Sequence, residues 1–189
     1  TTMKITVTFL LLLILPQAIQ AQQKTILFEK EVSDWEITGD AQWQFKKGAL
    51  HGDASKGEGF VITKNTYQNF VLSLQFKPDK QVNSGVFVLC KEKEMSATDC
   101  HEINIWDLHP NQDNRTGAIV TKQNPKVKIE TIGKWNTYEI RCEGETTTVR
   151  LNGQITAIHT GNPSKQGVIG LQVANEGKIA FRKIRLKAL

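Results

Sequence analysis

Apolar and polar residues alternate with a period of two through most of this chain beyond its first twenty residues, and this alternation constrains the fold more than any other feature. The segment FVLSLQF (70–76) places its apolar side chains on one face, and WNTYEIRC and TTTVRL alternate in the same way. A period of two is that of a β-strand, in which successive side chains point to opposite faces. Few windows have the period of an amphipathic helix. We therefore predict an all-β chain.

Short clusters of Gly, Asn, Asp and Pro separate the alternating runs and predict turns. Asn152 and Gly153 stand between TTTVRL and ITAIH, where they supply the positive φ of a tight hairpin turn. In the last run the apolar phase changes near Arg182 and Lys183, which predicts a β-bulge. The other strand candidates are GFVIT, SGVFVLC, EINIWD, GAIV and GVIGLQV. Many short strands without a helix to cover a sheet favour a two-sheet sandwich or a barrel.

The first residues have the pattern of a secretory signal peptide. Lys4 precedes an apolar run over residues 5–15, and small residues follow up to Ala21. The run is shorter than the ~20 residues that span a bilayer as a helix. We predict a signal peptide over residues 1–21, one domain over 22–189, no membrane anchor after cleavage, and a periplasmic or secreted location.

The charge of the chain argues against a nucleic-acid partner. The formal net charge is +5, and the excess of Lys and Arg falls mostly in the last strand candidate, where it alternates with apolar residues. That pattern is typical of a solvated strand face, and no nucleic-acid recognition motif accompanies it. The sequence leaves the oligomeric state open.

Three cysteines in an exported chain indicate a disulfide. Cys90 ends one strand candidate and Cys100 begins the next, so we predict a disulfide across their connecting loop. Cys142 continues the alternation of Tyr138 and Ile140, as expected of a buried free thiol. The spacing of Cys100 and His101 does not suit zinc.

The segment CHEINIWDLH (100–109) concentrates residues with reactive side chains. On a strand, Glu102, Asn104 and Trp106 share one face, while Ile103 and Ile105 share the other and must face the core. The first three would then line the outer, concave face of a curved sandwich. A carboxylate, an amide and an indole together suit a sugar-binding surface. An ordinary solvated sheet face with one exposed Trp is an equal alternative from these residues alone.

This strand resembles the catalytic strand of laminarinase-type β-glucanases, in which Glu, Asp and Glu alternate with apolar residues. The chain keeps the first carboxylate as Glu102, and Asn104 and Trp106 occupy the other two places. Retaining glycoside hydrolysis needs two carboxyl groups about 5 Å apart. That mechanism is therefore not available from this strand.

A closer resemblance extends over nearly the whole chain after the signal peptide. Short segments match, in order, the 3-keto-disaccharide hydrolase domain family: FKKGAL, GFVIT, FVLSLQFKP, NSGVF, EINIWD, TGAIV, KWNTYEI, LNG, GVIGLQ and FRKIRLK. The resemblance implies a concanavalin-like jelly-roll sandwich of two curved antiparallel sheets. It also implies an exported enzyme that cleaves 3-keto glycosides as a hydrolase, or as a lyase and hydratase, with a carbohydrate as its partner.

The implied chemistry depends on the ketone. A carbonyl at C3 acidifies the hydrogen on C2, so a base can remove it and the substituent on C1 can leave without an oxocarbenium ion. Such a site needs a general base, an acid for the leaving oxygen, and donors or a cation for the enolate. A divalent metal ion would meet the third need, and the sequence does not identify its ligands.

The residues themselves and the resemblance together give a set of candidate site residues. The catalytic members are Glu102, Asp107 and His101, and the substrate-binding members are Asn104, Trp106, Asn83, His109 and Lys122. Glu102 matches the family's Glu, as base or ligand. Asp107 matches the family's Asp, but its parity places it on the core side, where bonding to loop amides is an equal alternative. Most histidines and lysines in such positions are ordinary residues without a role in a site, and this is the alternative for His101, His109 and Lys122.

Three departures from the family pattern favour a second interpretation of the function of this chain. Leu89 stands in place of an Arg, and His101 and Val120 stand in place of Tyr residues. Their loss would remove contacts to the substrate and to the developing oxyanion. The alternative to an enzyme is therefore a non-catalytic, lectin-like binding module of the same fold.

Such a module would hold a glycan with aromatic platforms. Trp106 and Asn104, with Trp35 or Trp43, are the residues available for this. A purely structural exported domain is a third possibility.

Overall fold

In a computed structural model of the protein, the described residues are 25–26, 35–91, 93 and 95–189. The predicted signal peptide, residues 1–21, lies outside them. The described residues form thirteen strands: β1 (Thr25–Ile26), β2 (Trp35–Gly39), β3 (Gln42–Lys46), β4 (Ala49–Asp53), β5 (Gly59–Thr63), β6 (Phe70–Pro78), β7 (Ser84–Cys90), β8 (His101–Ile105), β9 (Asn136–Glu143), β10 (Thr146–Leu151), β11 (Gln154–Thr160), β12 (Val168–Val173) and β13 (Lys178–Ala188). A 3-10 turn covers Gln112–Asn114. Within this described part, no helix has the length and apolar character that a membrane crossing requires.

The strands form two sheets whose pairings are all antiparallel. The larger sheet has the order β11-β10-β9-β6-β13-β4-β3, with β1 also paired to β13. The smaller sheet has the order β2-β5-β12-β7-β8. Most neighbours in both sheets are distant in sequence, as expected of a jelly roll. The predicted all-β sandwich is confirmed.

The main core lies between the two sheets. In β6, Phe70, Leu72, Leu74 and Phe76 are buried while the residues between them are more exposed, as the alternation predicts. Side chains from both sheets join them in one apolar cluster. Burial of this apolar surface is the main term that stabilises the sandwich.

A second, smaller apolar cluster lies on the outer face of the smaller sheet. Phe87 belongs to it, whereas its neighbours Val86 and Val88 belong to the main core. The predicted disulfide between Cys90 and Cys100 is present in the same cluster, with a Cα–Cα distance of 4.2 Å. Apolar side chains and the disulfide therefore cover part of this outer face.

Two local predictions about the backbone are confirmed. Asn152 and Gly153 have φ values of 50° and 83°, as a primed hairpin turn requires. The register of β13 against β6 shifts between Arg182 and Arg185, and Lys183 has a φ of 52°. Cys142 is a buried free thiol, also as predicted.

The segment GAIV (117–120) differs from the prediction of a regular strand. Ile119 makes isolated bridges to Ile103 and to Gln123. The backbone N–H groups of Lys122 and Gln123 both bond to the carbonyl of Ile119, so the chain turns back directly. GAIV therefore borders the edge strand β8 without extending into a strand of its own.

Candidate functional site

Glu102 lies on β8, at the edge of the smaller sheet, and its side chain is half-buried on the outer face. Its neighbour Ile103 is fully buried in the core, so the strand parity predicted from the sequence holds at this position. Gly85 on β7 lies beneath the Glu102 side chain. A Cβ at position 85 would stand 3.2 Å from Glu102 Cγ and 3.3 Å from Oε1. The missing side chain of Gly85 therefore makes room for the carboxyl.

The environment of Glu102 changes its acidity. Burial, and secondarily the nearby charge of Glu58, raises the pKa of Glu102 from 4.5 to about 7. Burial disfavours the charged form, and a like charge does so further. At neutral pH the Glu102 carboxyl is therefore present in both protonation states. A group in that condition is suited to general acid and base chemistry.

Glu58 is held near this site by Gln172 of β12. Gln172 Nε2 donates to Glu58 Oε1 at 2.5 Å. Gln172 is 6% exposed, and its Oε1 has no hydrogen-bond partner among the described residues. An unpaired buried acceptor costs about 1–3 kcal/mol, and such an atom marks a place where a ligand can donate. The sequence analysis missed both residues.

A cavity of about 540 Å³ adjoins Glu58. Its lining consists of residues 54–58, Asn83 and residues 174–176. Asn83 is fixed there by two backbone hydrogen bonds with Ala174. Asn83, a predicted substrate-binding residue, thus shares one cavity with Glu58, whose charge acts on Glu102.

His101 lies on the opposite side of β8 from Glu102. Its Nδ1 is 3.0 Å from Thr147 Oγ1, and its ring packs edge to face against His159 with a centroid distance of 5.2 Å. Burial, with a smaller effect of His159, lowers the pKa of His101 to about 4. The structure therefore does not bring this predicted catalytic residue to the face that carries Glu102.

Asp107 is also separated from Glu102. Its buried carboxylate accepts hydrogen bonds from Thr131 N at 2.6 Å, Thr131 Oγ1 at 2.8 Å and Ile132 N at 3.3 Å. Arg115 Nη2 lies 3.9 Å from Asp107 Oδ1. These contacts are those of a residue that fixes a loop, which is the structural alternative left open by the sequence.

The other candidate residues of the segment CHEINIWDLH (100–109) make local contacts. Asn104 is 2% exposed; its Nδ2 donates to the carbonyl of Asn114, and its Oδ1 accepts from Ile105 N at 2.9 Å. Trp106 and His109 pack edge to face at 4.6 Å, where the chain leaves β8. Trp106 and His109 are thus in contact with each other. Both polar atoms of the Asn104 amide are already bonded within the protein.

Lys122 and the departure at Val120 lie beside the edge strand. Lys122 is exposed in the turn that follows GAIV. Val120 N donates to Glu102 O at 2.9 Å, so an aliphatic side chain stands next to Glu102 where the family pattern has a Tyr. Leu89, by contrast, is fully buried in the main core at a bulge of β7. The departure at Leu89 therefore does not alter the outer face.

The candidate aromatic platforms are mostly packed into the protein. Trp35 is 4% exposed within the core. Trp43 lies over Gly52 and packs against the same cluster. Of the residues proposed from sequence for a lectin-like site, Trp106 remains the aromatic group on the surface.

Oxygen atoms dominate the possible metal ligands at this site. In residues 25–26, 35–91, 93 and 95–189, no three or more His, Cys, Asp and Glu side chains come together in a way that could hold a metal ion. Glu58 and Glu102 offer carboxylates, and Gln172 Oε1 is an unpaired amide oxygen. Oxygen atoms are the ligands that a hard divalent cation prefers, but two carboxylates and one amide oxygen leave its coordination incomplete.

The two antiparallel sheets, with a half-buried carboxyl on the outer face of one of them, give the protein a jelly-roll fold. The chain belongs to the 3-keto-alpha-glucoside-1,2-lyase-like domain family, whose model matches residues 23–187. No curated protein matches the chain in sequence.

Solved structures agree with this assignment. A "Putative glycosyl hydrolase" from Parabacteroides distasonis has a TM-score of 0.75 and 26% identity, covering 88% of this chain and 100% of its own. The carbohydrate binding module CBM66 from Bacillus subtilis has a TM-score of 0.66 and 14% identity, covering 82% and 96%. The Bacillus licheniformis β-glucanase has a TM-score of 0.61 and 12% identity, covering 88% and 97%. The last two share the fold.

Proposed function

We propose that this protein is an exported enzyme that cleaves 3-keto glycosides, with Glu102 as the base that removes the proton from C2. One observation supports this most: a half-buried carboxyl on the sheet face whose pKa is raised to about 7. The family assignment supports the proposed substrate class, and Glu102 would be a proton acceptor near neutral pH. The raised pKa also makes the conjugate acid a competent donor.

The reaction would proceed by elimination followed by hydration. Glu102 takes the proton from C2, and the electron pair of that C–H bond forms the enolate of the C3 ketone. The enolate then expels the C1 oxygen, which takes up a proton and leaves as an alcohol. Addition of water across the resulting C1=C2 bond gives the free 3-keto sugar. Protonated Glu102 would give its proton to the leaving oxygen. In the hydration it would take a proton from the water that adds to C1 and deliver that proton to C2.

Neighbouring groups would position the sugar. Gln172 Oε1, which lacks a partner among the described residues, would accept a sugar hydroxyl. Asn83, in the adjoining cavity, would contact the part of the substrate beyond the reacting ring. Glu58 acts through its charge on Glu102.

A divalent cation also fits the proposal. Glu58 and Gln172 Oε1 would supply part of its ligands, with the rest from substrate or water, and the cation would stabilise negative charge on the substrate oxygens. A cation beside Glu58 would also offset the charge that helps to raise the pKa of Glu102. A chelator therefore belongs in the test of function.

A binding module is the second candidate. Of the three predicted catalytic residues, Glu102 stands on the outer face, while His101 and Asp107 are bonded elsewhere. A site that keeps one of the three predicted catalytic residues is also compatible with holding a glycan without cleaving it. CBM66, which has the same fold, is a carbohydrate binding module.

Incubation of the protein with a 3-keto-glucoside and with 3-keto-trehalose separates the two candidates. The proposal expects turnover by the wild type, loss of turnover in Glu102→Gln, and retention in Glu145→Gln, which changes an exposed carboxylate elsewhere. Each protein is assayed with and without a chelator. Binding of the sugar without turnover by the wild type, with or without added divalent cation, would identify a binding module instead.

A further inference from the structure

A second cavity lies on the outer face of the larger sheet, on the side of the sandwich opposite Glu102. Its volume is about 430 Å³, within the range of ligand sites. Lys77 and His51 point to this face because their neighbours Phe76 and Leu50 are buried in the core. None of the predicted site residues lines this cavity.

The shape of the cavity follows from strand register. Lys77, Ala180 and His51 are paired side by side across β6, β13 and β4. The small side chain of Ala180 between two longer ones leaves a trough. Trp135 lines the trough, and Arg182 Cζ lies 3.9 Å from the centroid of a Trp135 ring. This cation–π contact covers one face of the indole and helps to hold its orientation.

The charges in the trough do not balance. Lys178 pairs with Asp53 at 2.8 Å. The carboxylate of Asp79 accepts backbone N–H groups, from Gln81 and Val82 through Oδ1 and from Lys178 through Oδ2. Both acidic groups of the trough are thus bonded within the protein, although the backbone donors leave the negative charge of Asp79 in place.

Two basic groups remain available. Lys46 and Lys77 line the trough, and neither forms an ion pair with the carboxylates of the described residues. Arg182 is bonded through Nε to the neutral amide of Gln75 at 2.8 Å. Three lysines face two carboxylates in the lining, so the trough keeps a net positive charge next to a flat aromatic wall.

We propose that this trough binds an acidic saccharide, with Trp135 stacked on a sugar ring and Lys46 and Lys77 paired with its carboxylates. An indole favours the C–H face of a sugar ring, and ammonium groups favour the anionic substituents. A simple anion would not need the aromatic wall, and a neutral sugar would not need the unpaired lysines. The trough would hold a charged glycan while Glu102 faces away from it.

Calorimetric titration with tri-galacturonic acid tests the proposal. The wild type should bind this probe, and its affinity should fall as salt is added. The double variant Lys46→Gln/Lys77→Gln should bind it about tenfold more weakly. Trp135→Leu, which keeps an apolar side chain, should weaken binding to a similar extent. Lys126→Gln/Lys165→Gln, which removes the same charge from exposed positions outside the trough, should bind as the wild type does.

Cellotriose and inorganic phosphate are the comparison ligands. Equal binding of cellotriose would show that charge has no role, and phosphate binding that displaces tri-galacturonic acid and is unaffected by Trp135→Leu would reduce the trough to a general anion site. No binding of tri-galacturonic acid by the wild type, or equal binding by the lysine double variant, would overturn the proposal. Glu102→Gln should bind the probe unchanged, which separates this site from the proposed reaction.

Discussion

The side chain of Glu102 lies directly over the backbone of Gly85, in a space that any other residue would fill. A Cβ at position 85 would be 3.2 Å from Glu102 Cγ and 3.1 Å from Phe87 Cε2. The carboxyl therefore occupies its half-buried position because the neighbouring strand has no side chain there. That burial is the larger cause of its raised pKa.

The first prediction concerns Gly85→Ala. The new methyl group would displace the Glu102 carboxyl by a few tenths of an ångström. Because reaction rates depend steeply on the position of the base, kcat/KM on a 3-keto-glucoside should fall about tenfold. Thermal unfolding of the same variant is the control, since the melting temperature reports on whether the sandwich still folds. Turnover at the wild-type rate by a folded Gly85→Ala variant would contradict the conclusion that the open space over Gly85 positions the Glu102 carboxyl.

The second prediction concerns the charge of Glu58. Glu58→Gln removes a carboxylate that raises the pKa of Glu102, so that pKa should fall, while burial keeps it above the ordinary value. The acidic limb of the pH profile of kcat/KM should move to lower pH, and the ¹³C signal of the Glu102 carboxyl should titrate at lower pH in NMR spectra. Glu176→Gln, which alters another carboxylate of the adjoining cavity, should leave both unchanged. An unmoved titration in Glu58→Gln would refute the coupling.

The third prediction concerns stability and pH. The folded protein holds the proton of Glu102 more tightly than the unfolded chain does, since the pKa rises from 4.5 to about 7 on folding. The stability contributed by protonated Glu102 is fully present below pH 4.5 and is lost as the pH rises through about 7. Glu102→Gln, which cannot ionise, should therefore raise the free energy of unfolding at pH 8 by up to about 3 kcal/mol relative to its effect at low pH.

Urea denaturation at several pH values measures this difference. Glu145→Gln is the matched control, because Glu145 is exposed and should show no such trend. A constant difference between wild type and Glu102→Gln across the pH range would mean that Glu102 is not buried as described.

The fourth prediction concerns the cysteines. Cys90 and Cys100 are bonded, and burial raises the pKa of Cys142 to about 12. A thiol reagent should therefore find no reactive group in the folded protein and a single group after denaturation without reductant. Replacing both Cys90 and Cys100 by Ala should lower the free energy of unfolding by about 2–3 kcal/mol. Rapid labelling of Cys142 in the native protein would contradict its burial.

The features that could be predicted from the sequence are those that depend on residues close together in the chain. Strand alternation placed Glu102 outside and Ile103 inside, and the tight turn at Asn152 follows from local backbone preferences. His101 has the same parity as Ile103, so the period of two already assigned it to the core side. The polar imidazole of His101 nevertheless suggested a catalytic role.

The pairing of Glu58 with Gln172 could not be predicted in this way. The two residues are 114 positions apart in the chain and meet because β5 and β12 are adjacent in the smaller sheet. No local period encodes that adjacency. The raised pKa of Glu102, which depends partly on Glu58, was for the same reason outside the reach of the sequence.

The last prediction separates His101 from the chemistry. His101 is 1% exposed and lies on the core side of β8, where Thr147 Oγ1 is within hydrogen-bond distance of its Nδ1. Its pKa is lowered to about 4, so folding favours the neutral ring, and that contribution is lost as the pH falls from 6.5 through about 4. His101→Gln, which retains a group able to bond Thr147, should keep kcat/KM on a 3-keto-glucoside within about twofold while lowering the free energy of unfolding by about 1–2 kcal/mol at neutral pH.

NMR titration of the wild type should show the His101 ring signal changing only near pH 4. Loss of turnover in a well-folded His101→Gln protein, with an altered pH profile, would mean that the imidazole acts on the substrate from the core side and that Glu102 is not the centre of the reaction.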